Sequence, residues 1–265
     1  MTSIDAAELT PASHTRVCHI ISSFHPVVGG AEKATERLCR KLVHRGTDAV
    51  VLTRRQPGTP SRERISDVKV FRAGLPVRGK LGSFTFAVGA LWLLGTRLRA
   101  YRILHVQNID APLVLAVAAR RFLGRTVVAT IHSEVNISEK RQTRAGRLRL
   151  GLMVSNVHVF TCINPAIAAE LAESGVDSAR IRAIPNGVDT EAIRPASADE
   201  KSDLRATLGL NASGAVVLYV GRLVALKQVD VLIRALAGST EAGEVELVVV
   251  GDGPEAASLR QLAAG

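Results

Sequence analysis

Short apolar runs rich in β-branched residues alternate with segments of helical period along this chain, and no other feature constrains its fold as tightly. The runs fall at 16–24 (RVCHIISSF), 49–53, 68–72, 103–108, 126–132 (TVVATIH), 157–163 and 181–184. They are apolar throughout instead of on every second residue, which predicts strands of a parallel sheet covered on both faces. Helices are predicted at 31–45, 81–98, 111–122, 140–152 and 166–174. In the first, Ala31, Ala34, Leu38 and Leu42 recur at three- and four-residue intervals and Gly46 ends it; in the last, Asn164 is the cap and Pro165 the first residue.

The run at 181–184 is followed by the turn sequence Pro185-Asn186-Gly187-Val188-Asp189 and a polar, proline-bearing stretch through 195–203. That composition sets a domain boundary, with residues 1–195 as a doubly wound, Rossmann-like α/β domain. Residues 196–265 start a second series: strand 215–220, helix 228–237, strand 245–250 and helix 255–264. This reads as the first part of another Rossmann-like domain, marginally stable alone because a sheet of two strands leaves apolar edges and faces uncovered.

With 265 residues, 47% of them apolar, the chain can bury a real core, which excludes disorder. Cys18, Cys39 and Cys162 lie inside apolar segments at no metal-ligand spacing and read as small buried hydrophobes in a reducing, cytoplasmic setting. The opening MTSIDAAELT carries two acids and no basic region, unlike a secretory signal. The most apolar run, 81–95, falls short of the roughly 18–20 residues that span a bilayer and is expected to be a buried helix. A formal charge of +10 concentrates at 140–149 and in Arg97, Arg99 and Arg102. A solvated basic face, an anionic membrane surface and an acidic substrate all fit it, whereas 3% aromatic residues give nucleic acid few stacking platforms.

Ligands of doubly wound sheets bind beyond the carboxyl ends of the strands, and the unusual residue clusters all fall there. Gly29-Gly30 follow the first strand and open the first helix, so backbone amides could approach an anion; a plain tight turn is the alternative. His132 ends the strand TVVATIH and could donate to a substrate hydroxyl or serve as a structural histidine. Arg222 and Lys227, five residues apart between strand and helix, could reach separate phosphate oxygens or be surface cations. Gly251-Asp252-Gly253-Pro254 repeats the placement after the next strand, where a nucleoside could lie on backbone; it also reads as a generic turn. Glycines on one domain and paired cations on the other suggest a phosphate-bearing ligand in an interdomain cleft. A nicotinamide dehydrogenase is disfavoured, because SSFHPVVGGAE lacks the Gly-x-Gly-x-x-Gly spacing.

Six ordered segments, GGAEKATERLCRKLVHRGTDAVVLT, ILHVQN, VVATIHSE, FTCINPAIAAELAESGVDSARIRAIPNGVDTEAIRP, VLYVGRLVALKQVDVLIRALA and ELVVVGDGP, together resemble the retaining glycosyltransferases of the GT-B fold, family 4. The resemblance implies transfer of a sugar from a nucleotide-diphosphate sugar to an acceptor hydroxyl with retention, without metal or cofactor. Gly29 and Gly30 would face the donor diphosphate, Arg222 and Lys227 would neutralise it as it leaves, and His132 would have a catalytic role. Gly251, Asp252 and Gly253 would lie beneath the nucleoside, and the Pro185–Asp189 turn would precede the crossing between domains. The first domain would bind a lipid-linked or glycan acceptor, its basic helices meeting an anionic membrane at the cytoplasmic face, with acceptor choice in loops such as 55–66 and 134–142. Nucleic acid is not an expected partner.

Leu226 and Gln228 replace the acid and glycine that often flank the family's lysine, and Asn108 stands where many members have histidine. The family's glutamate pair, seven residues apart beyond the Gly-Asp-Gly turn, has no counterpart before Gly265. The expectation is a truncated enzyme with little transfer activity, a non-catalytic binding module, or a chain completed by a second polypeptide.

Overall fold

The computed structural model describes residues 15–27, 29–77, 79–107, 111–132, 142–238 and 245–264. The chain forms two compact units divided between Val188 and Asp189, inside the turn that precedes the polar stretch, where sequence composition set the boundary after residue 195.

The first unit is built on β1 (Arg16–Ile21), β2 (Asp48–Arg54), β3 (Arg62–Ile65), β4 (Val68–Ala73), β5 (Ile103–Gln107), β6 (Thr126–Ile131), β7 (Val159–Cys162) and β8 (Ile181–Ala183). Their order is β3-β4-β2-β1-β5-β6-β7-β8, parallel except for β3 against β4. The chain winds outward from β1 on one side and from β5 on the other, so the loops after these neighbours part and leave a crevice at their carboxyl ends. The four residues of β3 fall in the predicted 55–66 loop; their sequence, RERI, is charged and mostly hydrophilic, as suits an edge strand that must not recruit another chain.

Helices α2 (Gly79–Gly95), α3 (Ala111–Leu123), α4 (Arg144–Asn156) and α5 (Pro165–Glu173) cover one face, packing on Ile20, Leu52, Leu104, Val106, Ala129 and Phe160. Helix α1 (Gly30–His44) covers part of the other, against Ile21, Phe24, Val51 and Val70. Each large side chain so buried contributes roughly 1.5–3 kcal/mol. All three cysteines are buried, and burial pushes their thiols up. Helix α4 is capped by Thr143, whose Oγ1 accepts from Gly146 N–H at 3.0 Å, while 140–141 of the predicted helix lie outside the described residues.

The expectation that 81–95 is buried holds for only one face of α2. Gly82, Phe86, Ala90, Leu93 and Leu94 face the core, and a Cβ on Gly89 would lie 3.2 Å from Gly74 N at the end of β4. The opposite face, with Leu81, Phe84, Val88 and Trp92, is exposed. Sequence could not distinguish the two faces because both are apolar.

Glu36 ties three segments of the first unit together. Its buried carboxylate lies 2.9 Å from His25 Nε2 in the loop after β1, accepts from Ser66 Oγ at 2.9 Å in the β3–β4 turn, and meets Lys33 Nζ at 3.4 Å. Burial alone would raise its pKa, but the hydrogen bonds from His25 and Ser66 and the charge of Lys33 outweigh it and hold the group at about 2.

The second unit holds α6 (Ala198–Leu208), the parallel pair β9 (Ala215–Val220) and β10 (Val245–Val250), α7 (Val229–Ala237) and α8 (Ala256–Ala264). Helix α6 occupies the stretch read as a polar boundary. It starts in a full capping box, Ser197 with Glu200, and ends at Gly209 in the left-handed region. A small core of Leu223, Val229, Ile233, Ala256 and Leu259 packs on Tyr219 and Leu247, while Leu218, Val220 and Val250 on the opposite face of the pair are exposed.

The turns after the two strands interlock. Gly221 N–H donates to Val250 O at 3.0 Å, Leu223 N–H to Asp252 O at 2.9 Å, and Glu255 N–H to Leu223 O at 3.1 Å. The fit needs glycine: a Cβ would stand 1.9 Å from Gly221 O at position 251 and 2.2 Å from Leu223 O at position 253.

Gly253→Ala is therefore expected to lower the stability of the second unit by about 2 kcal/mol or more, because rigid backbone must move; chemical denaturation followed by hydrogen exchange of residues 215–264 would measure it. For Glu36, the folded pKa lies below the unfolded one, so its stabilisation is present above about pH 4.5 and lost as pH falls toward 2. Glu36→Gln should cost up to about 3 kcal/mol at pH 7, a gap that narrows through that acid window.

Candidate functional site

Gly29 is the cap of α1, in extended backbone with φ −149°, and no side chain hydrogen-bonds to the helix start as a cap. Space beside Gly30 is open, since a Cβ there would meet nothing within 4 Å. Beside Gly29 it is not: Glu32 Oε2 would lie 2.5 Å from such a Cβ, the carboxylate being held back over the helix start by Ser23 Oγ, which donates to Glu32 Oε1 at 2.6 Å. The amide of Gly30 is thus approachable, but a negative side chain already offsets the positive end of α1. In the sequence, Glu32 is marked only as an acid in the first helical turn.

His132 follows β6 and is partly buried, its Nε2 lying 2.8 Å from Gln107 Oε1 at the end of β5. Gln107 is 3% exposed, and its amide nitrogen has no partner among the described residues. With the amide oxygen facing the ring, Nε2 donates and Nδ1 is left as the acceptor. Burial lowers the pKa of His132, with Glu32 acting weakly in the opposite sense, so the imidazole is neutral at pH 7. Gln107 escaped the sequence reading because a polar residue closing an apolar strand has no distinguishing pattern.

A row of polar groups runs behind this pair across the sheet. His105 Nε2 lies 2.6 Å from Thr130 Oγ1, which is 2.6 Å from Thr161 Oγ1. The His105 ring also stands 4.9 Å from that of fully buried His19. Burial, and then the nearby His132, bring His105 down to about 4, and burial takes His19 well below its ordinary value. The row therefore carries no charge at neutral pH.

In the second unit, Lys227 closes a single 3-10 turn, Ala225–Lys227, and Gln228 adopts φ 51°, so α7 begins at Val229, one residue after the predicted start. Arg222 sits in the preceding turn, its carbonyl oxygen accepting from Tyr219 OH at 3.1 Å. Both cations are exposed, and neither has an ion-pair partner among the described residues. The interlocked turns put Arg222 beside Gly251, Asp252 and Gly253, so these sequence-selected residues form one patch at the carboxyl ends of β9 and β10. Asp252 Oδ1 is used within its own turn, accepting from Gly253 N–H at 2.7 Å. Gly29, Gly30 and His132 stand at the corresponding strand ends of the first unit. Asn108 lies outside the described residues, and among those described no group of three His, Cys, Asp or Glu side chains is placed to hold a metal.

Known proteins give this arrangement a family. The model of Glycosyltransferase Family 4 matches residues 28–192, and that of Glycosyl transferases group 1 matches residues 200–265. The 2-deoxystreptamine N-acetyl-D-glucosaminyltransferase of Streptomyces fradiae is 29% identical over 96% of this chain and 65% of its own length. A phosphatidylinositol N-acetylglucosaminyltransferase polypeptide of Arabidopsis thaliana is 26% identical over 93% of this chain and 54% of its own. The crystal structure of Anabaena HepE in complex with UDP-glucose superposes with a TM-score of 0.72 at 20% identity, over 95% of this chain and 66% of that one. That last likeness is one of fold, the GT-B class. The chain spans roughly half to two thirds of the length of the relatives it matches. With the first model matching more than half of its residues and the second the end of the chain, this protein belongs to Glycosyltransferase Family 4.

Proposed function

We propose that the second unit binds the diphosphate of a nucleotide sugar and that the chain serves transfer of that sugar, with retention at the anomeric carbon, to an acceptor hydroxyl. The observation that carries this reading is the patch in which exposed Arg222, with no ion-pair partner among the described residues, adjoins the glycine turn 251–253, with Lys227 one 3-10 turn further on. As the bond from the anomeric carbon to the phosphate oxygen breaks, negative charge collects on the diphosphate, and a guanidinium and an ammonium already in place stabilise it without a metal ion. The glycine turn lets a nucleoside lie flat on backbone. In the first unit, Gly30 offers an amide with open space above it, and the neutral His132, oriented by Gln107, contacts the transferred sugar.

The names of the two relatives point to the acceptor. Deoxystreptamine and the head of phosphatidylinositol are both polyhydroxylated six-membered carbocycles, so a ring polyol, free or carried on a lipid, is the proposed acceptor. Action at the cytoplasmic surface of an anionic membrane belongs to the same reading.

Thermal shift with UDP-, GDP- and ADP-sugars tests the donor site. One of the three should raise the unfolding midpoint, and Arg222→Ala should weaken that donor about tenfold or more, the usual effect of losing a charge-assisted hydrogen bond. If none of the donors moves the midpoint, the assignment fails. For the histidine, ring nitrogen shifts should show a single neutral tautomer of His132 at pH 7, lost in Gln107→Leu. His132→Ala should cut transfer about 100-fold while donor affinity stays within about twofold.

A further inference from the structure

Helix α2 turns toward solvent a face of the kind that helices bury. Leu81, Phe84, Val88 and Trp92 recur at three- and four-residue intervals, are 54–67% exposed, and lie opposite the face that packs on the sheet. Leu75 and Val77 in the preceding loop are exposed as well, and on the neighbouring α3 Phe122 is 81% exposed. Single exposed apolar side chains are ordinary, but a continuous stripe containing two aromatic rings is not.

The charge around the stripe is one-sided. Residues 79–107, 111–132 and 142–156, which include α2, α3 and α4, contain no aspartate or glutamate. Lys80, Arg97, Arg99, Arg102, Arg121 and Arg144 are exposed on the same stretch. Between α2 and strands β3 and β4, at one edge of the sheet, lies a groove of about 270 Å³ lined by Trp92, Phe71, Arg62 and Arg97, with the Arg62 guanidinium 5.4 Å above the Phe71 ring.

This combination selects its partner. A second copy of the chain would bring α2, α3 and α4, whose described residues hold no carboxylate, against the same basic helices. No described helix is long and apolar enough to cross a membrane, so the stripe does not span one. Apolar and aromatic side chains rimmed by arginines suit the boundary between head groups and acyl chains of an anionic bilayer, where aromatic rings settle at the interface and cations meet lipid phosphates.

The geometry points to α2 as a membrane-docking face: Leu81, Phe84, Val88 and Trp92 enter the interface of an anionic phospholipid bilayer. Arg97, Arg99 and Arg102 hold the surface, and the groove between Trp92, Arg62 and Arg97 takes a lipid head group. This rests on the reading of the chain as acting at a membrane, and it locates the contact on one helix in place of the diffuse basic clusters.

Trp92 is the single tryptophan of the chain, so its emission reports on the stripe directly. The full chain, with no sugar donor or acceptor present, is mixed with vesicles of phosphatidylcholine, with and without phosphatidylglycerol. The anionic vesicles should shift Trp92 emission to the blue, and brominated acyl chains should quench it. Phe84→Ser with Val88→Ser, both exposed, should reduce partitioning about tenfold or more with an unchanged far-ultraviolet dichroism spectrum. Arg97→Gln with Arg99→Gln should reduce it and weaken its dependence on salt. Unchanged emission with anionic vesicles would overturn the proposal, as would equal binding to phosphatidylcholine alone or a lipid-free dimer that buries Trp92. The wild-type quenching needs no variant. Because no nucleotide is present, failure here leaves the donor-site assignment standing, and failure of the thermal-shift test leaves this one standing.

Discussion

The pairing of β1 on both edges, with β2 on one side and β5 on the other, is the constraint on which the rest of the first unit depends. A parallel strand must have both faces covered and both rows of backbone groups bonded, so β1 sits at the centre with Cys18 and Ile20 facing α2 and α3 and Ile21 facing α1. Because successive strands leave β1 and β5 in opposite directions, the connections after these two neighbours part at their carboxyl ends. The glycines after β1, Gln107 at the end of β5 and His132 after β6 are gathered at that opening by topology alone. Their chemistry then depends on burial, which keeps His132 and the polar row behind it uncharged.

The second unit solves a similar problem with fewer strands. A pair of parallel strands has little sheet to orient its loops, and the connecting turns hold one another instead, through three backbone hydrogen bonds and two close approaches open only to glycine. What looks like a generic Gly-Asp-Gly turn is thus the mould for the arginine turn beside it. Substituting either glycine would disturb Arg222 without touching it.

Much of this was legible in the sequence. Uniform apolarity of the strands gave the parallel sheet, since periodicity is a local property that burial on both faces imposes residue by residue. The capping box of α6 was equally local, Ser197 followed three residues later by Glu200, yet the prolines and charges around it made the stretch look like a linker. The features that escaped depend on distant residues. Nothing near Gly251 announces that its neighbour is the Gly221 carbonyl, and nothing near Gln107 announces His132. Helix α2 escaped for a different reason: both of its faces are apolar, and the contact that seats one of them on the sheet, Gly89 against Ala73 and Gly74 at the end of β4, joins residues that no local pattern links.

The electrostatics of the two candidate anion-binding ends are unequal, and this decides which one leads. A helix start carries about half a positive charge, and at α1 the carboxylate of Glu32, fixed by Ser23, lies directly against it. That end presents an approachable amide without net attraction for a diphosphate. The turns of the second unit present Arg222 and Lys227 with no ion-pair partner among the described residues, and the carboxylate of Asp252 is engaged by its own turn. Full charges near solvent outweigh a half charge that is already offset, so on the proposed reading the attraction for a diphosphate comes from Arg222 and Lys227 and not from the start of α1. On that proposal, loss of either cation should weaken donor capture more than a side chain added at Gly30, where space is open.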